Sequence, residues 1–136
     1  MKKANHHGKV QFGIDPASSE FFNPASGKYN LAFKEQALSQ NVEDKYGHAL
    51  LGRDEMKKLY MSLLDRYPIV LLEDPFAEDD WDSWSSFNKI CPVELVGDDL
   101  LATNVHRIEL AHERKACNSL LLKINQIGSI SEAIAA

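Results

Sequence analysis

The amino-acid sequence predicts an α/β fold with about four parallel strands that alternate with helices. Short apolar runs that suit buried strands recur along the chain, and segments with helical periodicity separate them. Alternation of this kind produces a parallel sheet with right-handed crossovers. Each predicted strand also leads to an ionisable residue, and these residues are Asp15, Glu73, Asp98 and Lys123. Because an eight-stranded barrel needs roughly 250 residues, a chain of 136 residues predicts either a small open sheet or a portion of a barrel.

The first predicted strand covers residues 10–14 and is followed by a loop that begins at Asp15. The proline after Asp15 has no backbone N–H to donate to a neighbouring strand, so the strand cannot continue there. A long polar stretch comes next. Residues 23–30 are rich in Asn, Pro, Ser and Gly, and residues 41–52 are polar without periodicity, which is typical of turns and loops. We therefore expect a long irregular excursion, and the sequence assigns no role to its part from Lys34 to Gly52.

A helix is predicted across residues 56–67, because apolar side chains recur there at the spacing of one helix face. Pro68 limits this helix at its C-terminal end. The four residues 69–72 are all apolar, which predicts a short strand buried on both faces that stops at Glu73. The apolar stripe of the helix consists of Met56, Leu59, Tyr60, Leu63, Leu64 and Tyr67.

The next unit begins with a short helix that Asp79 or Asp80 can cap. Its aromatic residues are three apart, and a stripe of this kind is most simply explained by packing in the core. A buried strand is predicted over residues 93–96, and it leads to Asp98. The aromatic residues of this helix are Trp81, Trp84 and Phe87.

The final part of the chain repeats the pattern once more. Thr103 or Asn104 can cap a helix that runs to about Ala116. A strand over residues 120–122 then ends at Lys123. A capping box predicts a further helix near the end of the sequence. The two residues that form this capping box are Ser129 and Glu132.

The composition excludes several classes of partner. The formal net charge of -5 provides no positive field for a polyanion, so nucleic acid is not expected to bind. The sequence contains no apolar run of the roughly 20 residues that span a bilayer, and its first residues lack the apolar centre of a signal peptide. We therefore expect a soluble cytoplasmic protein without a membrane partner.

The cysteines and the first histidines carry little functional signal. Cys91 and Cys117 lie in different predicted elements and lack the close spacing of metal ligands, so they are predicted to be buried free thiols. His6 and His7 could bind a metal in principle, but a pair without further ligands is usually exposed surface. Neither set is assigned a site.

The ionisable residues that follow the strands form the candidate site. The carboxyl ends of parallel strands meet at one rim, so these side chains are expected to converge. Glu73, Asp98 and Lys123 are spaced 25 residues apart, so each step advances by one strand and one helix. Three carboxylates without accompanying Cys or His favour Mg2+. A lysine beside a divalent cation can have its pKa lowered enough to act as a general base, and such a set suits removal of a proton beside a carboxylate.

A structural interpretation of the same residues remains open at this point. Acidic residues at strand ends often form turns, so any one of them taken alone is equally well explained by loop structure. The regular spacing of all four favours a functional site.

Four segments of the sequence resemble, in order, the metal-binding and lysine-bearing segments of enolases. Residues 13–21, 72–81 and 96–104 look like the segments that carry the three Mg2+ ligands of that family. Residues 120–129 are similar to the family signature that carries the catalytic lysine. The resemblance covers nearly the whole chain but only the middle of an enolase barrel, roughly its third to sixth strands. It therefore implies that residues 1–136 form part of a TIM-type barrel, without the N-terminal capping domain and the remaining strands.

The resemblance also implies a reaction and a role for each site residue. The reaction is the reversible dehydration of 2-phosphoglycerate to phosphoenolpyruvate, a carbon–oxygen lyase step of glycolysis. Asp15, Glu73 and Asp98 would hold Mg2+, and Lys123 would remove the proton at C2. Asp99 would lie beside a ligand and influence Lys123 by a hydrogen bond or by its charge, although a loop aspartate that binds backbone amides is an equally good interpretation.

Several further expectations follow from the resemblance. A full-length parent is expected to be a homodimer, and the 136-residue chain alone is expected to be inactive, because the general acid and the groups that grip the substrate belong to other barrel strands. Two alternatives remain: a superfamily enzyme that acts on a different carboxylic acid, and a truncated enolase-derived protein without catalytic activity.

Overall fold

The computed structural model describes residues 2–6, 8–36 and 50–136. It confirms the predicted α/β class, with a four-stranded parallel sheet and a second, smaller antiparallel sheet. The strands are β1 (Phe12–Ile14), β2 (Phe22–Asn23), β3 (Lys28–Asn30), β4 (Leu50–Leu51), β5 (Ile69–Glu73), β6 (Glu94–Gly97) and β7 (Ser119–Leu120). The helices are α1 (Phe33–Gln36), α2 (Arg53–Arg66), α3 (Trp81–Asn88), α4 (Val105–Arg114), α5 (Ile124–Ile127) and α6 (Ile130–Ala135), and 3-10 turns cover Lys2–Ala4 and Ser18–Phe21.

The parallel sheet has the strand order β1-β5-β6-β7, so strands that follow one another in this set are neighbours. Ile14 pairs with Leu72, Leu72 pairs with Leu95, and Gly97 pairs with Leu120. Right-handed crossovers between successive neighbours place the connecting helices on the same side of a sheet. Within the described residues the sheet does not close, and β1 and β7 are its two edges.

Burial on both faces of β5 was predicted, and this prediction is wrong. Leu72 and its partner Leu95 are fully buried, but Leu71 is only half-buried and pairs with the exposed Glu94. Val70 is 41% exposed. The apolar run of β5 is therefore only partly enclosed by the described residues.

Residues 23–30 were predicted to be irregular, but they contain a β-hairpin. Phe22 pairs with Tyr29 in an antiparallel register, and β4 extends the pair to three strands. The turn residues that suggested a loop close this hairpin. The Asn23 carboxamide accepts hydrogen bonds from the backbone of Ala25 (3.0 Å) and Ser26 (3.2 Å), as Asn commonly does in turns. The rest of the predicted excursion, residues 37–49, lies outside the described residues.

The core is largely aromatic and lies between α2, α3 and the small sheet. Phe76 is fully buried at its centre and packs edge-on against the rings of Tyr29, Tyr60, Trp84 and Phe87, with centroids 5.4–6.2 Å apart. Such contacts are favoured by the charge distribution of the rings. The predicted core role of Trp84 and Phe87 is therefore confirmed.

The third aromatic residue of that stripe is only half-buried. Trp81 contacts two guanidinium groups, those of Arg107 at 5.1 Å and Arg114 at 5.7 Å from the ring centroid. Arg107 also donates to the carbonyl oxygen of Glu78 at 2.6 Å. Trp81 thus connects α3 with α4 at the surface.

Most helix signals were placed correctly, with small shifts. α2 begins at Arg53, contains the predicted apolar stripe except Tyr67, which is its exposed C-cap, and ends two residues before Pro68. Asn104, one of the two predicted caps, accepts from the backbone N–H of His106 (2.9 Å), and Ser129 accepts from that of Glu132 (3.2 Å). α4 ends at Arg114 because Lys115 takes a left-handed conformation (φ 52°).

The two edge strands differ most from the prediction, whereas the bounds of β5 and β6 differ by one residue. β1 begins at Phe12 instead of residue 10, and β7 ends at Leu120 instead of Leu122. Both are edge strands with one neighbour each, so their backbone pairing ends where the neighbouring strand ends. The four residues after Lys123 form α5, which the sequence pattern did not indicate.

The remaining sequence predictions concern the thiols, the histidines and the membrane. Cys91 and Cys117 are free, as predicted, but each is half-buried instead of buried. His6 is exposed, and His7 lies outside the described residues. In the described part of the chain, no helix has both the length and the apolar character needed to cross a membrane.

Candidate metal and lysine site

The candidate site lies at the rim formed by the carboxyl ends of the parallel strands. Asp15 directly follows β1, Glu73 is the last residue of β5, and Asp98 directly follows β6. Lys123 is three residues beyond the end of β7. Because these four strands are successive neighbours in the sheet, the structure brings the four side chains to the same rim in the order in which they occur.

Lys123 and Asp98 are in direct contact. The Lys123 ammonium group donates a hydrogen bond to Asp98 Oδ2. Asp98 Oδ1 accepts a second hydrogen bond, from Gln126 Nε2 at 2.7 Å. The Asp98 side chain is only 10% exposed, whereas that of Lys123 is 39% exposed. The carboxylate is therefore held in place, and the lysine remains accessible from the rim.

The other carboxylates are close enough to repel one another. Burial raises the pKa of Glu73, and the charges of Asp15 and Asp98 raise it further. Burial also raises the pKa of Asp99, again with contributions from Asp98 and Asp15. Such shifts indicate like charges at short range. The rim thus has an excess of negative charge, which favours a bound cation.

The pKa of Lys123 differs from the sequence prediction. A lowered pKa was expected, but the pKa is raised, because the ammonium group hydrogen-bonds Asp98 and is attracted by the charges of Asp98, Glu73 and Asp99. The proposed influence of Asp99 on Lys123 stays a prediction, and the charge of Asp99 contributes in the same raising direction. The expected lowering assumed a divalent cation beside the lysine, and a cation would reverse the direction of the local electrostatic effect.

Asp74 is an important residue that the sequence analysis did not single out. Its carboxylate is almost completely buried and accepts the backbone N–H groups of Asp98 (3.1 Å) and Asp99 (2.7 Å). Its own carbonyl oxygen accepts the N–H of Ser18 at 3.1 Å. Asp74 therefore joins the loops that follow β1, β5 and β6. The sequence carried one signal, an aspartate before a proline, which is also typical of an ordinary turn.

Asp74, Asp98 and Asp99 each offer an oxygen within 4.8 Å of the other two. Both oxygens of Asp74 already bind backbone N–H groups, so Asp74 suits a role in shaping the loop. Burial raises the pKa of Asp74 to about 6. Asp99 is half-buried, Asp98 is buried and bonded to Lys123 and Gln126, and Asp15 is exposed with Oδ1 accepting from the N–H of Ala17 (2.9 Å).

The donor set fits a hard divalent cation. Every candidate ligand at the rim is a carboxylate oxygen, and the site described here contains neither histidine nor cysteine. Mg2+ binds through one or a few carboxylates and keeps further positions for water or substrate oxygens. Asp15, Glu73 and Asp98 supply carboxylates of this kind: Asp15 is exposed, Glu73 is half-buried, and Asp98 is buried with its oxygens bound to Lys123 and Gln126.

Comparison with known families agrees with this geometry. The family model of the enolase C-terminal TIM barrel domain matches residues 1–136, which is the whole chain. In parallel barrels of this kind, sites are built at the rim where the present carboxylates and lysine meet. The chain therefore belongs to the enolase C-terminal TIM barrel domain family.

Proposed function

We propose that this chain carries the metal-binding and proton-abstracting part of an enolase active site. The reaction is the reversible dehydration of 2-phosphoglycerate to phosphoenolpyruvate, which takes place in the cytoplasm. The main support is the contact between Lys123 and Asp98 at a rim that also holds Asp15 and Glu73. This arrangement combines a base with carboxylates that suit Mg2+, and the reaction requires both.

In this proposal Asp15, Glu73 and Asp98 are the Mg2+ ligands. When bound, Mg2+ supplies positive charge that neutralises its ligands and the charge that develops on the substrate carboxylate. Lys123 must be neutral to accept the C2 proton. The carboxylates that raise its pKa are those of Asp98, Glu73 and Asp99, so neutralising two of them brings this pKa down towards the working range of a general base.

We also propose that the four parallel strands correspond to the third to sixth strands of an enolase barrel. Among the described residues β1 and β7 are the edges of the parallel sheet, where further strands would pair in such a barrel. In such a barrel, the general acid and the groups that bind the substrate phosphate come from those further strands. The isolated 136-residue chain is then a metal-binding fragment without turnover, and a complete barrel is the active, homodimeric form.

The experiment that tests this function uses Lys123→Ala in a complete enolase barrel that carries this segment. Exchange of the C2 proton of 2-phosphoglycerate with solvent is followed by NMR, and Mg2+ affinity is measured by calorimetry. We expect the exchange to be abolished and Mg2+ binding to be largely retained, because Lys123 acts on the substrate and is not a ligand.

The exposed Lys89 provides a matched control, because Lys89→Ala removes an ammonium group from the far end of α3. This variant should keep both properties. Unchanged C2 exchange in Lys123→Ala would remove Lys123 from its role. If the parent enzyme exchanged the proton of another carboxylic acid but not the C2 proton of 2-phosphoglycerate, the result would instead favour a different substrate.

A further inference from the structure

Thr103 has an unusual backbone conformation for its residue type. It lies in the left-handed region with φ 52°, directly after Ala102 with φ 47°. Non-glycine residues rarely adopt this conformation, and for a β-branched residue it is a genuine outlier. Strain of this kind persists only where the surrounding structure enforces it, and it is often found at functional sites. Thr103 is also fully buried, so its hydroxyl group has to find partners inside the protein.

The partners of that hydroxyl belong to the candidate site. Thr103 Oγ1 accepts the backbone N–H of Lys123 at 2.8 Å. It also contacts Gln126 Oε1 at 3.4 Å, which is longer than a usual O–H···O hydrogen bond. Gln126 in turn donates to Asp98. The hydroxyl is therefore connected to Lys123 through its backbone and to Asp98 through one carboxamide.

The chemistry of these groups sets the direction of each hydrogen bond. An ionised carboxylate can only accept, so the Gln126 NH2 group faces Asp98 and the Gln126 carbonyl oxygen faces Thr103. The Thr103 hydroxyl consequently donates its single proton to Gln126. Its lone pairs are left for the N–H of Lys123, which agrees with the contact at 2.8 Å. A methyl group in place of the hydroxyl would satisfy neither partner.

We propose that Thr103 is the positioning residue for the Lys123–Asp98 pair. It fixes the backbone of Lys123 and, through Gln126, the carboxylate of Asp98, so that the ammonium group and Oδ2 meet. The significance of the pair rests on the proposed function, whereas the hydrogen bonds that define the positioning do not. Thr103→Val removes the hydroxyl while keeping the volume and the β-branching, and Thr103→Ser keeps the hydroxyl.

The first measurement is hydrogen exchange of the Lys123 backbone amide in the 136-residue chain without metal. Loss of its acceptor in Thr103→Val should speed this exchange about 10-fold or more relative to the parent, while Thr103→Ser should restore slow exchange. The amide of Leu72 in the core strand serves as an internal reference for global stability. Equal acceleration at Leu72 and Lys123, or no acceleration at Lys123, would overturn the proposal.

The second measurement is the affinity for Mg2+, determined by calorimetry with the metal alone. Thr103→Val should weaken it by about 10- to 100-fold, the usual effect of removing support from a metal ligand. Ser83→Ala is the matched control, because Ser83 is a buried hydroxyl without a hydrogen-bond partner among the described residues. An Mg2+ affinity that falls equally in Ser83→Ala and Thr103→Val would overturn the proposal.

A third variant covers the case in which Thr103→Val does not fold. Gln126→Met removes only the carboxamide that supports Asp98, so it should weaken Mg2+ binding like Thr103→Val and leave the exchange of the Lys123 amide unchanged. An unchanged Mg2+ affinity in Gln126→Met would overturn the relay to Asp98. If the parent chain binds no Mg2+, the proposed function fails, and the exchange of the Lys123 amide decides the role of Thr103 on its own.

Discussion

Lys123 and Asp98 are 25 residues apart in the sequence, and their side chains share a hydrogen bond at the ends of two neighbouring strands. This hydrogen bond is the largest cause of the raised pKa of Lys123. The remaining causes come from the charges of nearby carboxylates. The pair is therefore the electrostatic centre of the rim, and its members can be tested separately.

The first prediction is that Asp98→Asn lowers the pKa of Lys123. The substitution removes a negative charge and replaces the strongest acceptor of the ammonium group, so the protonated lysine loses its main stabilisation. The pKa is measured by an NMR titration of the Lys123 side chain in the absence of Mg2+. Asp82→Asn, at an exposed position in the first turn of α3, is the control. A pKa of Lys123 that is the same in Asp98→Asn and in the parent would contradict the assignment.

The second prediction concerns the buried Asp74. Its pKa is raised from the ordinary 3.8 to about 6, so the folded protein binds a proton that the unfolded chain has already released between these values. The contribution of Asp74 to the free energy of unfolding is complete below about pH 4 and is lost as the pH rises through 6. The loss is at most about 3 kcal/mol. Asp74→Asn cannot titrate, so its stability should fall less over this range.

This prediction is checked by urea unfolding of both proteins with EDTA between pH 4 and pH 7. Glu73 and Asp99 titrate in both proteins, so their effect cancels in the comparison. Two stability curves that run parallel across this pH range would show that Asp74 does not titrate as predicted.

The third prediction compares two buried tyrosines. The hydroxyl group of Tyr29 donates to Asp80 Oδ2 (2.7 Å) and accepts the N–H of Ala77 (3.1 Å). Arg53 Nε lies 2.9 Å from Asp80 Oδ1 but is not in line for a hydrogen bond. Among the described residues, Tyr29 is therefore the only side-chain hydrogen-bond donor to this buried carboxylate. Tyr29→Phe should lower the free energy of unfolding by about 1–3 kcal/mol.

Tyr60→Phe is the matched control for Tyr29→Phe. The Tyr60 hydroxyl has one side-chain partner, Ser18 Oγ at 3.3 Å, so its removal should cost about 1 kcal/mol or less. Both values are obtained by urea unfolding at neutral pH. Equal losses for the two variants would mean that Asp80 does not depend on the Tyr29 hydroxyl.

The fourth prediction is that the 136-residue chain with Mg2+ and 2-phosphoglycerate forms no detectable phosphoenolpyruvate. The described residues place a base and carboxylates on an open rim, and acid catalysis by a further group is typically worth about 10²- to 10⁴-fold. Product is followed by ultraviolet absorbance, with a complete enolase as the positive control. Turnover that requires Mg2+ and disappears in Lys123→Ala would show that the chain is sufficient by itself.

Much of the fold could be predicted because its signals are local. The stripe of α2, the aromatic residues of α3 and the apolar runs of β5 and β6 each identify one element within a few residues. The rim could be predicted because parallel strands align their carboxyl ends, which makes the position of Asp15, Glu73 and Asp98 a matter of topology. The roles of these residues in binding Mg2+ stay predictions until metal binding is measured.

Other features could not be predicted, because they depend on contacts between distant parts of the chain. β2 and β4 have two residues each, which is too short for an alternating pattern to be visible. Thr103 was considered as a helix cap, and its contact with Lys123 arises only when β6 and β7 lie side by side. Asp74 has a left-handed conformation (φ 42°) that no local signal indicates for an aspartate before a proline.

The order of strands in the parallel sheet has a consequence for the order in which the rim assembles. Closing the chain between Asp98 and Lys123 involves 25 residues, whereas Asp15 and Glu73 are 58 residues apart. Closure of the longer loop costs about 0.7 kcal/mol more in chain entropy. β1 is also an edge strand of three residues with Phe12 40% exposed. We therefore expect the half of the rim with Lys123 to form as a more local unit than the half with Asp15, whose strand docks against β5 across the longer loop.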